Sequence, residues 1–197
     1  MSSASKYIYS QLLFTPPYPT KPFTGQTIIV TGANTGLGLE AARHFVRLDA
    51  AKVILAVRNL EKGEVAKKSI EASENKTGVV QVWQLDLASY DSVKTFAKRA
   101  DGLDRLDVMM QNAGIMTAGY TTAEDNESTL TTNVISPFLL GLLVLPKLRE
   151  TAAKFNVLPR LVFVASFVHF LTKFPEQKSD NIFATLNDKR TANMNDR

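Results

Sequence analysis

Cysteine is absent from this chain, and histidine nearly so: the two are His44 and His169. Without thiols there is neither a disulfide framework nor a thiolate metal site. Two histidines supply too few ligands for a histidine-built metal centre. A metal-free protein of the cytoplasm is the expectation. No block of like charge occurs either. The 23 Lys and Arg are interleaved with 19 Asp and Glu, which excludes a nucleic-acid-binding arm. The net charge of +4 suits a small anionic ligand instead. Long apolar runs are also missing. The most apolar segment, "VISPFLLGLLVLP" (134–146), carries Pro137 and Pro146 and is shorter than the roughly 20 residues a membrane span needs. It reads as a buried helix, with no membrane span. The N-terminal "MSSASKYIYSQLLF" is too broken for a signal peptide.

What is present is ordinary globular composition, 45% hydrophobic and 21% charged, in a length that suits one domain. Residues 1–24, with "TPPYPTKPFTG", read as an extended N-terminal lead-in. From residue 25 to 197 strands and helices alternate. The strands are 27–32, 51–57, 78–87, 106–114 and 159–166. The first helix follows "GLGLEAARHFVRL", with Leu37, Ala41, Phe45 and Leu48 at helical spacing. A charged helix spans about 60–73, and a third, 89–100, opens on a Ser89 cap. A long helix over 121–150 opens on the Thr121-x-x-Glu124 pattern of a capping box. Near-continuous apolar strands alternating with helices predict an α/β fold, a doubly wound parallel sheet covered on both faces. Ligands of such sheets bind at the carboxyl ends of the strands.

The residues with chemical potential fall at those ends. "TGANTGLG" (31–38) joins the first strand to the first helix. Gly32, Gly36 and Gly38 permit a tight turn and a close approach of a pyrophosphate, and the helix N-terminus presents its free N–H groups and positive dipole. Asn34, Thr35 and Leu37 complete the loop. The spacing is a variant of the G-x-G-x-x-G dinucleotide pattern, and a glycine turn that merely packs helix on sheet is the plainer alternative. Past the second strand stands Arg58 rather than an acid. An arginine there pairs a 2′-phosphate by forked hydrogen bonds, favouring NADP(H) over NAD(H), unless it is only a solvated loop charge. Lys62 assists it or is surface charge. Asp86 is placed to accept from an adenine amino group, with the Leu87 amide beside it, or to cap a helix. Asn112, Ala113 and Gly114 end the fourth strand, small enough for a cofactor to lie on the backbone, with Asn112 a turn stabiliser in the alternative.

"TGANTGLG", "LDL", "QNAGI", an asparagine in the fourth helix and a serine closing the fifth strand occur in this order. The sequence resembles the short-chain dehydrogenase/reductase family, closest to its retinol-dehydrogenase-like and fungal branches, over about residues 25–197. "QNAG" departs slightly from the family's usual "NNAG". The resemblance implies NADP(H)-dependent hydride transfer between the cofactor and a small lipophilic carbonyl or alcohol. It maps Asn133 to the asparagine that holds a water in a proton relay, and Ser166 to the serine that hydrogen-bonds the substrate oxygen. It further implies a homodimer through the helix 121–150.

The family's remaining pair, a Tyr-x-x-x-Lys whose tyrosine is the general acid/base and whose lysine lowers its pKa, has no counterpart after Ser166. The five tyrosines, Tyr7, Tyr9, Tyr18, Tyr90 and Tyr120, all precede Ser166. The chain therefore reads as truncated before that motif, incomplete at the C-terminal edge of its sheet, and inactive by itself. The rival reading is a non-catalytic nucleotide-binding or partner-binding protein. A Ser166–His169 hydrolase lacks both a nucleophile elbow and a placed acid. His44 reads as a helix-face residue, and Lys173 and Lys178 as solvated.

Overall fold

The computed structural model describes residues 9–10, 12–166, 172–192 and 194. The elements run β1 Thr27–Thr31, α1 Gly36–Arg47, β2 Lys52–Val57, α2 Leu60–Glu74, β3 Val80–Gln84, α3 Tyr90–Asp101 and β4 Val108–Gln111. A short hairpin follows, β5 Thr122–Ala123 and β6 Asn126–Glu127. Then come the long helix α4, Ser128–Phe155, β7 Arg160–Phe163 and a small helix α5, Ile182–Asn187. The main sheet is parallel throughout, in the order β3-β2-β1-β4-β7. The expected doubly wound α/β fold is what forms.

Alternate residues of each strand serve opposite faces. Ile28, Val30, Val53, Leu55 and Val108 pack under Ala42 and Val46 of α1 and Ala66 and Ile70 of α2. Ile29, Ile54, Trp83 and Met109 pack under Phe96 of α3 and Leu140 and Val144 of α4. Two covered faces explain why all five residues of β1 are buried and why the strands read as unbroken apolar runs. The buried stripe of α1 is Gly38, Ala42 and Val46, one position along from the stripe the sequence suggests. Leu37 is consequently 79% exposed. The reason is the close packing of Gly38 on the sheet, which sets the helix rotation.

Two further expectations are corrected. The helix does not start at Thr121. Glu124 and Asp125 both take positive φ, 52° and 62°, and form the two-residue turn between β5 and β6, as a primed hairpin turn requires. Thr121 bonds the Ser128 hydroxyl and Glu124 accepts from the Tyr90 N–H at 2.7 Å, so neither caps the helix. Glu127 does so, accepting from the N–H groups of Thr129 and Leu130. The helix is also longer than its apolar sequence stretch. By length and composition alone it could cross a membrane, but 56% of its most apolar window is buried, largely against the sheet and α3. The lead-in is docked from Tyr18 onward: Arg47 donates to the Pro19 carbonyl at 3.1 Å, and the Tyr18 ring meets His44 edge-on.

At the amino ends of the strands one carboxylate organises the start of the sheet. Asp107 is 4% exposed. It accepts from the Thr27 N–H and the Arg105 Nε, each at 2.8 Å, and its own carbonyl receives the Arg160 N–H at 2.7 Å. The starts of β1, β4 and β7 therefore converge on it. Removing one partner of such a buried pair strands the other. Asp107→Ala is expected to lower stability by about 3 kcal/mol, read as a shifted urea midpoint at unchanged slope, with Asp107→Asn less severe because one acceptor remains.

Candidate active site

The loop after β1 is shaped by three glycines with different roles. Gly32 has φ +66°, and a Cβ there would lie 2.9 Å from the Ala113 Cα. A Cβ on Gly38 would lie 2.5 Å from Asn112 Nδ2 and 2.6 Å from the Gly32 carbonyl oxygen. Without side chains at these two positions, the loop and α1 can press onto the end of β4. Gly36 differs: its φ is +57°, yet nothing lies within 4 Å of an added Cβ. It faces open space. Thr35 caps α1 in extended conformation with no side-chain bond to the helix, and the first turn holds no acid. The free N–H groups and positive helix end thus border an open cradle, the environment an anionic diphosphate requires. Asn34 is half-buried in the same loop.

The carboxyl ends of β1 and β4 are tied by Thr31. Its buried hydroxyl accepts from the N–H groups of Asn112 and Ala113 at 3.0 and 2.9 Å, and its carbonyl accepts from Asn112 Nδ2 at 3.0 Å. The Asn112 side chain thus donates back across the turn to β1. Nothing in the sequence motif singled out Thr31; its place just before the glycine loop was the available signal. Asp86 accepts from the Ala88 N–H at 2.9 Å through one carboxylate oxygen, and Ser89 caps α3 as expected. Leu87 is buried in the α3–α4 core.

Arg58 stands two residues beyond Ala56, which is paired with Thr31, so it flanks the cradle from the neighbouring strand. Its side chain is exposed and belongs to no ion pair among the described residues. The next residue, Asn59, caps α2 by accepting from the Lys62 N–H at 2.9 Å. This cap fixes where the strand end turns and leaves the Lys62 side chain on the exposed first turn.

Asn133 sits in a π-helical turn of α4, Thr131–Ile135. Its side chain closes a two-bond ring with the backbone of Ile115, accepting from the N–H and donating to the carbonyl, each at 2.8 Å. This holds the segment after Gly114 against the helix. The turn has a visible cause in Pro137, four residues on. Proline has no N–H for the Asn133 carbonyl, and its ring clashes with that oxygen in an α-helix. Such π turns recur at functional sites. Just ahead, Glu127 is fully buried. Burial pushes its carboxyl upward, but hydrogen bonds from Thr129, Leu130 and Ser128 outweigh this and hold it below the ordinary glutamate range.

Ser166 lies three residues past β7 and is exposed. Val164, two residues before it, still bonds the Gln111 carbonyl at 2.9 Å, which keeps the approach to Ser166 beside the end of β4. His169 lies outside the described residues. No group of three or more potential metal ligands is assembled among the described residues. A groove of about 530 Å³ lined by Gln26, Phe45, Asp107 and Arg160 lies at the amino ends of the strands and has no part in this site. Hydrogen bonds and close approaches bring together Gly32, Gly38, Asn112 and Ala113 on one side and Gly114 and Asn133 on the other, with Gly36 in the same loop. Arg58, Lys62, Asp86 and Ser166 stand around that cluster, at carboxyl ends of the same sheet.

This arrangement has known counterparts. The family profile described as short chain dehydrogenase matches residues 26–170. A short chain dehydrogenase/reductase of Cryptosporiopsis, dmxR8, is 52% identical over 190 residues, which are 94% of this chain and 59% of that protein. An uncharacterized protein of Mycobacterium paratuberculosis shares the fold with a TM-score of 0.65 at 33% identity, over 87% of this chain and 59% of its own. A short chain dehydrogenase of Shigella flexneri complexed with NADP gives a TM-score of 0.62 at 26% identity, covering 87% of this chain and 70% of that one. The chain thus spans well under two thirds of its curated relative's length. With the profile covering most of its residues and the glycine cradle, Thr31 tie and Asn133 turn in place, the chain belongs to the short chain dehydrogenase family of oxidoreductases.

Proposed function

We propose that this chain is the cofactor-binding part of a cytoplasmic, NADP(H)-dependent oxidoreductase that reduces a small lipophilic carbonyl compound or oxidises the matching alcohol. The observation that carries the NADP(H) preference is Arg58, exposed and without an acidic neighbour in ion-pair contact among the described residues, one strand away from the open cradle at Gly36. The cradle residues fit a diphosphate, and the guanidinium fits a 2′-phosphate. The cofactor supplies hydride chemistry at the carbonyl carbon.

The chain's own groups bind and position. The first-turn N–H groups of α1 receive the diphosphate, and Gly36 leaves it room. The Ser166 hydroxyl hydrogen-bonds the substrate oxygen. Asn133 spends its side chain on Ile115, so its role in a proton relay falls to its backbone carbonyl, which Pro137 deprives of the usual helix donor. That carbonyl holds a water. No tyrosine follows Ser166 in the sequence, so these 197 residues are expected to bind the cofactor without turning a substrate over. A second copy of the chain is a further partner in this reading: Val134, Phe138 and Leu142, spaced by four along α4, are 40%, 57% and 69% exposed, an apolar stripe that association would cover.

NADPH should raise the melting temperature of the chain saturably and NADH much less. Arg58→Ala should weaken NADPH about 10- to 100-fold, the worth of a charge-assisted pair, and leave NADH unchanged. Equal loss for both nucleotides, or no response to NADPH, overturns the reading. The glycines should separate binding from folding. Gly36→Ala is expected to weaken the nucleotide and, through the positive φ at that position, to destabilise the fold by about 1 kcal/mol, half the loss expected at Gly38. Gly38→Ala should destabilise the fold by about 2 kcal/mol through overpacking against Asn112 and Gly32, read by denaturant titration.

A further inference from the structure

The lead-in ahead of β1 has a composition that neither the core nor the cofactor cradle uses. It holds three of the five tyrosines, Tyr7, Tyr9 and Tyr18, and its charges are Lys6 and Lys21; the first acid of the chain is Glu40. The Leu13 N–H bonds the Tyr9 carbonyl at 2.9 Å, which closes one helical turn. On and after that turn Leu12 and Leu13 are 75% and 74% exposed, and Tyr9, Phe14 and Tyr18 are exposed as well. Pro16, Pro17 and Pro19 follow. Proline imposes extended backbone, so this stretch cannot fold the apolar turn back as a cap on the core, and residues 12–22 are all exposed. Arg47 fastens the lead-in behind the turn, through the Pro19 carbonyl and over the Tyr18 ring.

The charge around the lead-in is unbalanced. Glu40 pairs with Arg43 and Asp49 with Lys76, and the Asp107 carboxylate is taken up by the Thr27 N–H and Arg105. Lys21, Arg47 and Arg160 stand in no ion pair among the described residues. Lys21 and Arg160 line the groove at the amino ends of the strands together with Phe23, Val157 and Leu158, and Leu158 is 85% exposed. The lead-in thus ends at a second place where uncovered apolar side chains stand beside cations without acids. Tyrosine rings, aliphatic side chains and lysines in one acid-free stretch are what a lipid interface selects. The rings sit at headgroup level, the aliphatic groups reach the acyl boundary and the cations meet anionic headgroups.

We propose that residues 9–22 attach this protein to the surface of an anionic lipid bilayer, with Leu12, Leu13 and Phe14 entering the acyl boundary and Lys21 meeting the headgroups. The segment lies on the membrane and does not cross it. One apolar turn or a few cations alone hold a protein to lipid only marginally, so both are required. Lys21 and its groove lie at the amino ends of the strands and the glycine cradle at the carboxyl ends, so lipid and nucleotide bind without competing. The proposal does not depend on the NADP(H) reading.

The test is flotation of the 197-residue chain with vesicles of phosphatidylcholine alone or with about one third phosphatidylserine. Wild type should bind the mixed vesicles about tenfold better, and high salt should remove most of that difference. Replacing both leucines, Leu12→Ser with Leu13→Ser, should lower binding to the mixed vesicles by about tenfold or more. Lys21→Gln should lower it about fivefold and leave phosphatidylcholine binding unchanged. Val65→Ser removes a comparably exposed side chain from α2 and should change nothing. All these positions are exposed, so melting temperatures should stay together. No flotation of wild type with the mixed vesicles, or equal flotation of wild type and the leucine variant, overturns the attachment. Equal loss in Val65→Ser marks general adhesion and overturns it too. If wild type ignores vesicles and the leucine variant lowers the mass of the lipid-free chain in sedimentation, the turn joins two copies and the proposal falls. Saturating NADPH should leave flotation unchanged, and displacement by NADPH would overturn the separate placement. A chain that floats but fails to bind NADPH would strike the cofactor reading alone.

Discussion

The crevice of this protein depends on a single hydroxyl. Thr31 accepts two backbone N–H groups from the turn after β4, so the carboxyl ends of the two central strands stay together where the helices that follow them diverge to opposite faces. Gly32 then turns at positive φ against Ala113, and Gly38 brings α1 down onto Asn112. Each close approach requires the one before it. The open space at Gly36 is the remainder, bordered by backbone that the tie holds fixed. A loosened tie would leave the glycines in the sequence but not the cradle.

A second constraint runs along α4. Pro137 prevents an α-helical bond at Asn133, and the resulting π turn aims the asparagine side chain at Ile115. Helix stability is sacrificed at that point and recovered before it, where the buried Glu127 carboxylate gathers the N–H groups of the first turn. The two devices work on the same helical segment: one widens its turn at Asn133, the other holds its N-terminus. Burial of an ionised carboxylate is tolerable only with this many donors.

The edge of the sheet behaves differently from its centre. Val162 and Phe163 of β7 are each 38% exposed, and Phe163 stacks on the 57% exposed Phe138 of α4. Residues with the composition of a buried strand thus stand at an edge, where β4 is the one strand paired with them among the described residues. Exposed apolar edges favour association, and the exposed stripe of α4 lies beside this one through the Phe138–Phe163 stack.

Much of the architecture and of the open glycine loop was written in local patterns: apolar runs of strand length, glycines at a strand–helix junction, and the exposed Arg58 at the end of the neighbouring strand. These are legible because they depend on residues close in sequence. The hairpin 122–127 was not, because Thr121-x-x-Glu124 imitates a helix start and only the contact of Glu124 with Tyr90 shows that the turn is held elsewhere. Nor were the Thr31 tie or the Asn133–Ile115 ring, whose partners lie 18 to 82 residues apart. Sequence determined most of the strands and helices, the hairpin apart, and which residue types stand at their ends, since backbone preference and apolar periodicity act locally. Tertiary structure alone decided which of those polar groups are consumed in holding the crevice open and which, like Arg58, remain available to a ligand, since that depends on what each side chain meets across the fold.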